Sequence, residues 1–238
     1  MTSFDRRVRR AFLELADTLR PGFDLHDHLC ALARYGAELL QVGAAGVLLL
    51  DRLGAELAAA SDDTAHELQL LQIRHGEGPG PDSFHAGRPV FCPDVAGESE
   101  RWPRWVPAAR AAGYVAVHTL PIRLRDQRLG SLSLFRATKG DLDSRLAELG
   151  QAMAEVAAIG ILQQRTVRRQ EAVAQQLQDA LDSRVLIEQA KGMLAARLGV
   201  GIEDAFGVLR EYARARNRKL LDVAQEVTDG ILWISPHG

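Results

Sequence analysis

Positive side chains in residues 182–231 fall in rows. Arg210, Ala213, Arg214 and Asn217 stand at i, i+3, i+4 and i+7, one face of a helix. Arg216, Arg218 and Lys219 carry that basic edge through the following turn. In the helical stretch before it, Arg184 and Lys191 are seven apart and so nearly in line, with Ala190 and Gly192 flanking the lysine. Side chains of this kind can do one job together. Guanidinium and ammonium groups neutralise phosphates, an asparagine amide hydrogen-bonds a base edge, and small residues allow close approach. A mid-helix glycine costs up to about 1 kcal/mol relative to alanine, so Gly192 needs a reason, either loose packing or an approaching partner. Residues 171–238 hold 8 basic and 10 acidic side chains, so the charge is patterned rather than abundant. The pattern alone suits a solvated helix face as well as a nucleic-acid patch.

Other chemistry is thinner. His26, His28 and Cys30 invite a metal, but helix positions i and i+2 point roughly 200° apart and cannot converge on one ion. GEGPG at 76–80 resembles a phosphate loop only in its glycines and lacks the lysine, so 76–82 is expected to be a connecting loop. No nucleophile–base signature or zinc pair stands out, and neither a catalytic nor a metal site is expected. Phe84, His85, Trp102, Trp105 and His118 fall on segments expected to cover one sheet face. As a group they mark a candidate small-molecule pocket, with ordinary core and lid packing as the alternative.

The totals set bounds. Net charge is −2 over 238 residues, which rules out a global positive field. Cys30 and Cys92 lie far apart and give no disulfide framework. The first residues are charged and amphipathic, without the apolar segment of a signal peptide, and no run approaches the roughly 18–20 apolar residues of a membrane span. A cytoplasmic protein with no membrane partner is expected.

The elements that position these residues follow from periodicity. Helices are expected at 4–19, ending at Pro21-Gly22, and from an Asp24 N-cap to Gly43. AAGVLLLD (44–51) reads as a central strand, with a turn at Leu53-Gly54 into a strand at 56–60. Asp62 or Asp63 caps a helix to about His75. Residues 88–94 form an edge strand broken by Pro93, and 103–112 form a helix. Strands at 114–124 and 127–136 flank the turn Arg125-Asp126, and SLSLF alternates with period two. The sum is an α+β domain on an antiparallel sheet of about five strands.

From Leu142 the pattern is helical. Leu146, Met153, Gly160, Val167, Ala174 and Leu181 recur in sevens, with Leu149, Val156, Gln163, Gln170 and Leu177 as companions. A paired coiled-coil helix is expected, with the segment before Gln163 alternatively folded back on its own sheet. Polar residues at its heptad core weaken pairing. Three short stripes then bury one core: Ile187, Ala190, Leu194 and Leu198; Ala205, Phe206, Leu209, Tyr212 and Ala213; Leu220, Val223, Val227 and Ile231. Domains are expected at 1–162, at 142–182 for the linker helix, and at 183–238.

SRVLIEQAKGMLAARLGV, AFGVLREYARARNRKLLDVA and their spacing closely resemble the ANTAR domain, an RNA-binding three-helix module of bacterial transcription antiterminators. From about Phe23 to Leu162, GEGPG with its following Asp, the Gly-Arg-Pro strand, RWP and LGSLSLFR are similar to the GAF half of GAF–ANTAR regulators. The resemblance implies an RNA partner carrying two small stem-loops, dimeric action with one ANTAR domain per stem-loop, and a GAF sensor whose ligand is open; the heptad helix is the expected means of pairing, which RNA itself can drive. It carries RNA contact onto Arg184, Ala190, Lys191, Gly192, Arg210, Ala213, Arg214 and Asn217; Arg216, Arg218 and Lys219 are added on electrostatic grounds. Relatives often carry a cysteine where Gly80 stands, and a Ser or Thr where Gly201 opens the second ANTAR helix. The alternative is a helix-turn-helix-like DNA-binding regulator with a GAF sensor. Its third helix would then have to read DNA, yet 221–231 is acidic or apolar, with Asp222, Glu226 and Asp229.

Overall fold

The apolar run 44–51 forms the strand β1 (Ala44–Asp51), and both its faces are covered. In the computed structural model, which describes residues 2–18, 20, 22–51 and 54–234, the chain divides into two units, Met1–Thr166 and Val167–Gly238. The expected ends at Leu19 and Pro21 and the turn residue Leu53 lie outside the described residues.

In the first unit β1 pairs with β2 (Gly54–Ala60) and with β5 (Gln127–Arg136), which pairs with β4 (Ala116–Leu124), which pairs with β3 (Val90–Cys92). Every pairing is antiparallel. On one face Ala45, Val47, Leu49, Leu120, Ile122, Leu132 and Leu134 pack against α1 (Ser3–Ala16), α2 (Leu25–Leu39) and the start of α6 (Ser144–Leu198). On the other, Ala44, Val117 and Phe135 meet α3 (Asp63–His75) and α5 (Trp105–Ala111), with the 3-10 turn Val95–Glu98 beside them. Leu48 and Leu50 meet α3 and α4 (Pro79–Ala86). The GEGPGPD segment is therefore not all loop. Its second half opens α4, with Pro79 in the first turn, where a missing N–H costs nothing, behind Gly78 at φ 130°.

The alternation in SLSLF has a different cause from the usual inside–outside one, because Leu129 to Phe135 is buried throughout. Leucines point to the α1/α2 layer, and serines point to a polar layer under α3 and α4. Gly130 sits where β5 meets Leu49 of β1, and a Cβ there would overlap the Leu48 carbonyl oxygen.

Up to Leu162 the heptad residues of α6 belong to the sheet's own core. Met153, Ala154, Ala157, Ala158 and Ile161 are fully buried there, and Leu146, Leu149, Val156 and Leu162 pack beside them. The alternative of a helix folded back on its sheet is what this stretch does. Beyond it the row is open: Val167, Leu177 and Leu181 are exposed, as are Val173 and Val185 beside it.

The second unit packs the end of α6 with α7 (Ile202–Ala215) and α8 (Leu220–Thr228) around Ala190, Leu194, Ala205, Leu209, Val223 and Val227. Gly199, at φ 67°, ends α6 with its N–H and that of Val200 on the Ala195 carbonyl. Gly201 is the α7 N-cap and makes no side-chain cap bond. One expected stripe is corrected. Ile231 lies past the left-handed Gly230 and is exposed, and Leu232 and Ile234 join the core from the segment that follows α8.

Candidate nucleic-acid interface

Backbone geometry at the α7–α8 turn decides which cations are free. α7 ends in a Schellman motif: Arg218 N–H donates to the Ala213 carbonyl at 2.9 Å and Asn217 N–H to Arg214 at 3.2 Å, with Asn217 at φ 49°. Asparagine tolerates that left-handed position, so its type has a conformational cause as well as any contact role. Its side chain remains exposed.

Arg218 is not free. Its Nη1 and Nη2 donate to the two Glu226 carboxylate oxygens at 2.8 and 2.6 Å, and this pair holds the Glu226 carboxyl below its ordinary value. The Glu226 carbonyl accepts the N–H groups of Ile231 and Leu232, each at 2.9 Å. Arg218 thus clamps the turn to the C-terminal tail, which corrects its expected place among the phosphate ligands. Arg216 lays its guanidinium 3.8 Å over the Tyr212 ring and is exposed. Lys219 is the exposed N-cap of α8.

Three other expected contacts are internal. Ala190 and Ala213 are buried in the bundle core, where their size lets the helices approach one another rather than a ligand. Lys191 is only 8% exposed. Its Nζ lies 3.0 Å from Glu188 and 3.9 Å from Glu203, and 5.2 Å from the centre of the Phe206 ring. It therefore joins α6 to the first turn of α7. Phe206 and Arg210 are one turn apart, so Lys191 abuts the edge of α7 that carries Arg210.

Fewer of the expected contacts stay outward. Arg184, Gly192, Arg210, Arg214, Asn217 and Lys219 are exposed, and among the described residues the four cations make no ion pair. A Cβ on Gly192 would meet nothing within 4 Å, so tight helix packing does not explain that glycine. α8 offers no base in compensation: LLDVAQEVT carries acids only.

In the first unit the five expected pocket residues do not converge. Trp102 and Trp105 are fully buried and edge-to-face at 5.7 Å, donating their indole N–H groups to Asp82 at 3.0 Å and to the Leu68 carbonyl at 3.3 Å. Phe84 packs beside Leu48, and its ring meets His85 at 5.4 Å. His118 alternates to the opposite face from Val117. There it bonds the Gly140 carbonyl at 3.1 Å, and burial holds its pKa below the ordinary value. Trp102, Trp105 and His118 are core, Phe84 is half-buried and His85 is exposed, and in place of their pocket stands a buried polar layer outside the expected site residues. Gln72 donates to Gln69 and accepts from Gly80 N–H at 2.8 Å, and Thr119 donates to Ser133 at 3.1 Å. The Gln69 Nε2 and Ser131 Oγ atoms are buried without a hydrogen-bond partner. Two glutamines three apart in an otherwise apolar helix face were the available signal. A Cβ on Gly80 would lie 2.8 Å from the Leu48 Cδ1, so any side chain there would require Leu48 to shift.

The metal-like trio separates as expected. His26 Nε2 and Cys30 Sγ touch at 3.5 Å on one face of α2, and His28 is buried on another. Burial raises both thiols, that of Cys92 to about 11, so neither is a ready thiolate.

The architecture is that of an α+β domain followed by a small helical module, and comparison with known proteins agrees. A GAF domain model matches residues 24–162 and an ANTAR domain model matches residues 175–227. The chain belongs to the GAF domain family and has the GAF–ANTAR architecture. Among solved structures it is similar to the GAF domain of a phosphoenolpyruvate-protein phosphotransferase from Coxiella burnetii, at 17% identity and TM-score 0.55, over 70% of this chain and 96% of that one. The corresponding domain from Acinetobacter gives 16%, 0.52, 71% and 99%. The reduced form of fRMsr of Staphylococcus aureus gives 16%, 0.51, 67% and 96%. At these identities the likeness shows the fold alone. No curated protein matches. Among the described residues no helix is long and apolar enough to cross a membrane.

Proposed function

We propose that this chain is a signal-responsive regulator whose ANTAR unit binds paired stem-loops in mRNA leaders and antagonises transcription termination. The observation that carries this is the exposure of Arg184, Arg210 and Arg214 on a unit that matches the ANTAR family. Unpaired by acids and set on two packed helices, these guanidinium groups are free to meet loop phosphates, with Asn217 at the row's end for a splayed base. Lys191 supports the row from below. A base-reading third helix, which a DNA-binding alternative requires, would have to be the acidic α8.

The active form is a homodimer. The exposed residues Val167, Leu177 and Leu181 continue the heptad past the first unit and supply an apolar seam for a second copy. Polar Gln163 and Gln170 in the same row weaken that seam, so RNA carrying two hairpins helps to close it. The first unit supplies the input. If α4 moves from the sheet, the Gln69 amide and Ser131 hydroxyl can be satisfied by a small polar molecule.

The deciding experiment is purification of the full chain with its bound transcripts, their sequencing, and gel shifts with the recovered leader at fixed salt. A two-hairpin RNA bound far more tightly than duplex DNA of the same sequence is expected. Equal affinity for both, or none for RNA, would overturn the proposal.

A further inference from the structure

Beyond the ANTAR match, which ends at residue 227, the tail 231–234 is held in one orientation. Gly230 turns the chain at φ 73°, the Glu226 carbonyl takes the next two N–H groups, and Leu232 and Ile234 anchor inward. Ile231 and Trp233, which flank Leu232, are exposed. Trp233 is 72% exposed, although an indole is among the costliest side chains to leave in water. The Arg197 guanidinium lies 4.5 Å from the centre of its ring, capping one side and leaving the rest open. Trp102 and Trp105 are fully buried, so among the described residues Trp233 is the one exposed indole.

We infer that Trp233, with Arg197, is a stacking platform for an unpaired base of the RNA, a contact additional to the arginine row. An indole ring offers a flat π-face to any base, and the guanidinium beside it offers a charge to the adjoining phosphate. The anchors at Leu232 and Ile234 fix the ring before binding, so little conformational freedom is lost in forming the stack. The inference rests on the RNA-binding function proposed above, and it places a recognition element outside the segment shared with the family.

The test uses the full chain and a synthetic two-hairpin RNA whose sequence is taken from co-purifying transcripts. Adding it to wild type is expected to quench the exposed component of tryptophan emission, and Trp233→Phe is expected to remove that change while keeping most of the affinity. Trp233→Ala is expected to bind about 5- to 30-fold more weakly, the loss of one stacked base, with unchanged thermal unfolding. Abasic substitution of the stacked nucleotide should weaken wild type and leave Trp233→Ala unaffected. If wild type binds the RNA with no emission change and Trp233→Ala binds as tightly, the platform is refuted while the regulator reading stands. A patch that binds protein instead would give that same result. If wild type itself does not bind, the regulator reading falls first, and the platform with it.

Discussion

His28 is wedged between α2 and α6, where a Cβ on Gly160 would come within 2.9 Å of its Nε2. Burial lowers its pKa; the Ala157 carbonyl opposes this, and Arg20 adds to it. A histidine kept neutral by the fold binds fewer protons than it does unfolded, where its value is 6.5. Its contribution to stability is therefore complete above that value and is lost as pH falls from it toward the lowered pKa. Thermal unfolding of the chain is expected to shift downward on acidification through that window, and the shift should shrink in His28→Leu. The residual slope belongs partly to His118, whose pKa burial also lowers. Calorimetry giving the same slope for both proteins would refute the assignment. Arginines divide in the same residue-by-residue way. Arg210→Ala is expected to leave unfolding unchanged, weaken RNA binding, and reduce the slope of log affinity against log salt by about 0.7–1. Arg218→Ala is expected to lower the unfolding temperature instead, since it releases Glu226 and the tail. A shift in both variants, or in neither, would show that the free and clamped guanidinium groups are not distinct.

At the scale of elements, glycine in β5 and leucine in α6 make the sharper claims. Gly130→Ala would drive a methyl group into the Leu48 carbonyl, and backbone cannot swing away as a side chain would. A loss of about 1–3 kcal/mol is expected in denaturant unfolding, and a neutral variant would mean that β1 and β5 are less closely apposed. Leu181 is exposed, so Leu181→Lys should leave the fold within about 0.5 kcal/mol of wild type and yet prevent self-association. Light scattering of the RNA complex at one chain per RNA in the variant and two in wild type is the expected outcome. Strands, hairpin and helix caps were legible from periodicity, because each depends on neighbours in sequence. Asp62 does cap α3 and Asp24 does cap α2. The α4 helix was not, because glycine and proline obscure a turn whose stability comes from packing on β5. Nor was the division of the long heptad, because an a/d row is apolar whether it meets its own sheet or a second copy.

For the molecule as a whole, two copies joined along α6 would present two cation rows to two hairpins. A two-hairpin RNA is then expected to bind about 100-fold or more tightly than either hairpin alone, and Leu181→Lys should remove most of that difference. Equal affinities in wild type would place each unit's action in isolation. The arginine row was readable from sequence because helical spacing alone sets it on one face. Its buried members were not, since Ala190, Ala213 and Lys191 share that spacing but face into the three-helix core. The expected aromatic pocket failed for a related reason: strand alternation sends His118 away from the tryptophans, and a pocket depends on which face each strand residue takes.

The two-sided character of β5 bears on how the chain finds its fold. A slip of one residue would put Ser131 and Ser133 against the α1/α2 layer and Leu132 and Leu134 against Gln69 and Gln72. That wrong pairing is penalised on both sides at once, unlike a strand with one wet face, where the misplaced side chains on that face meet only water. The central strand thus discriminates its own alignment twice over, and Ser131→Leu together with Ser133→Leu should blur that discrimination. Slower or multiphasic refolding of the double variant would reveal it.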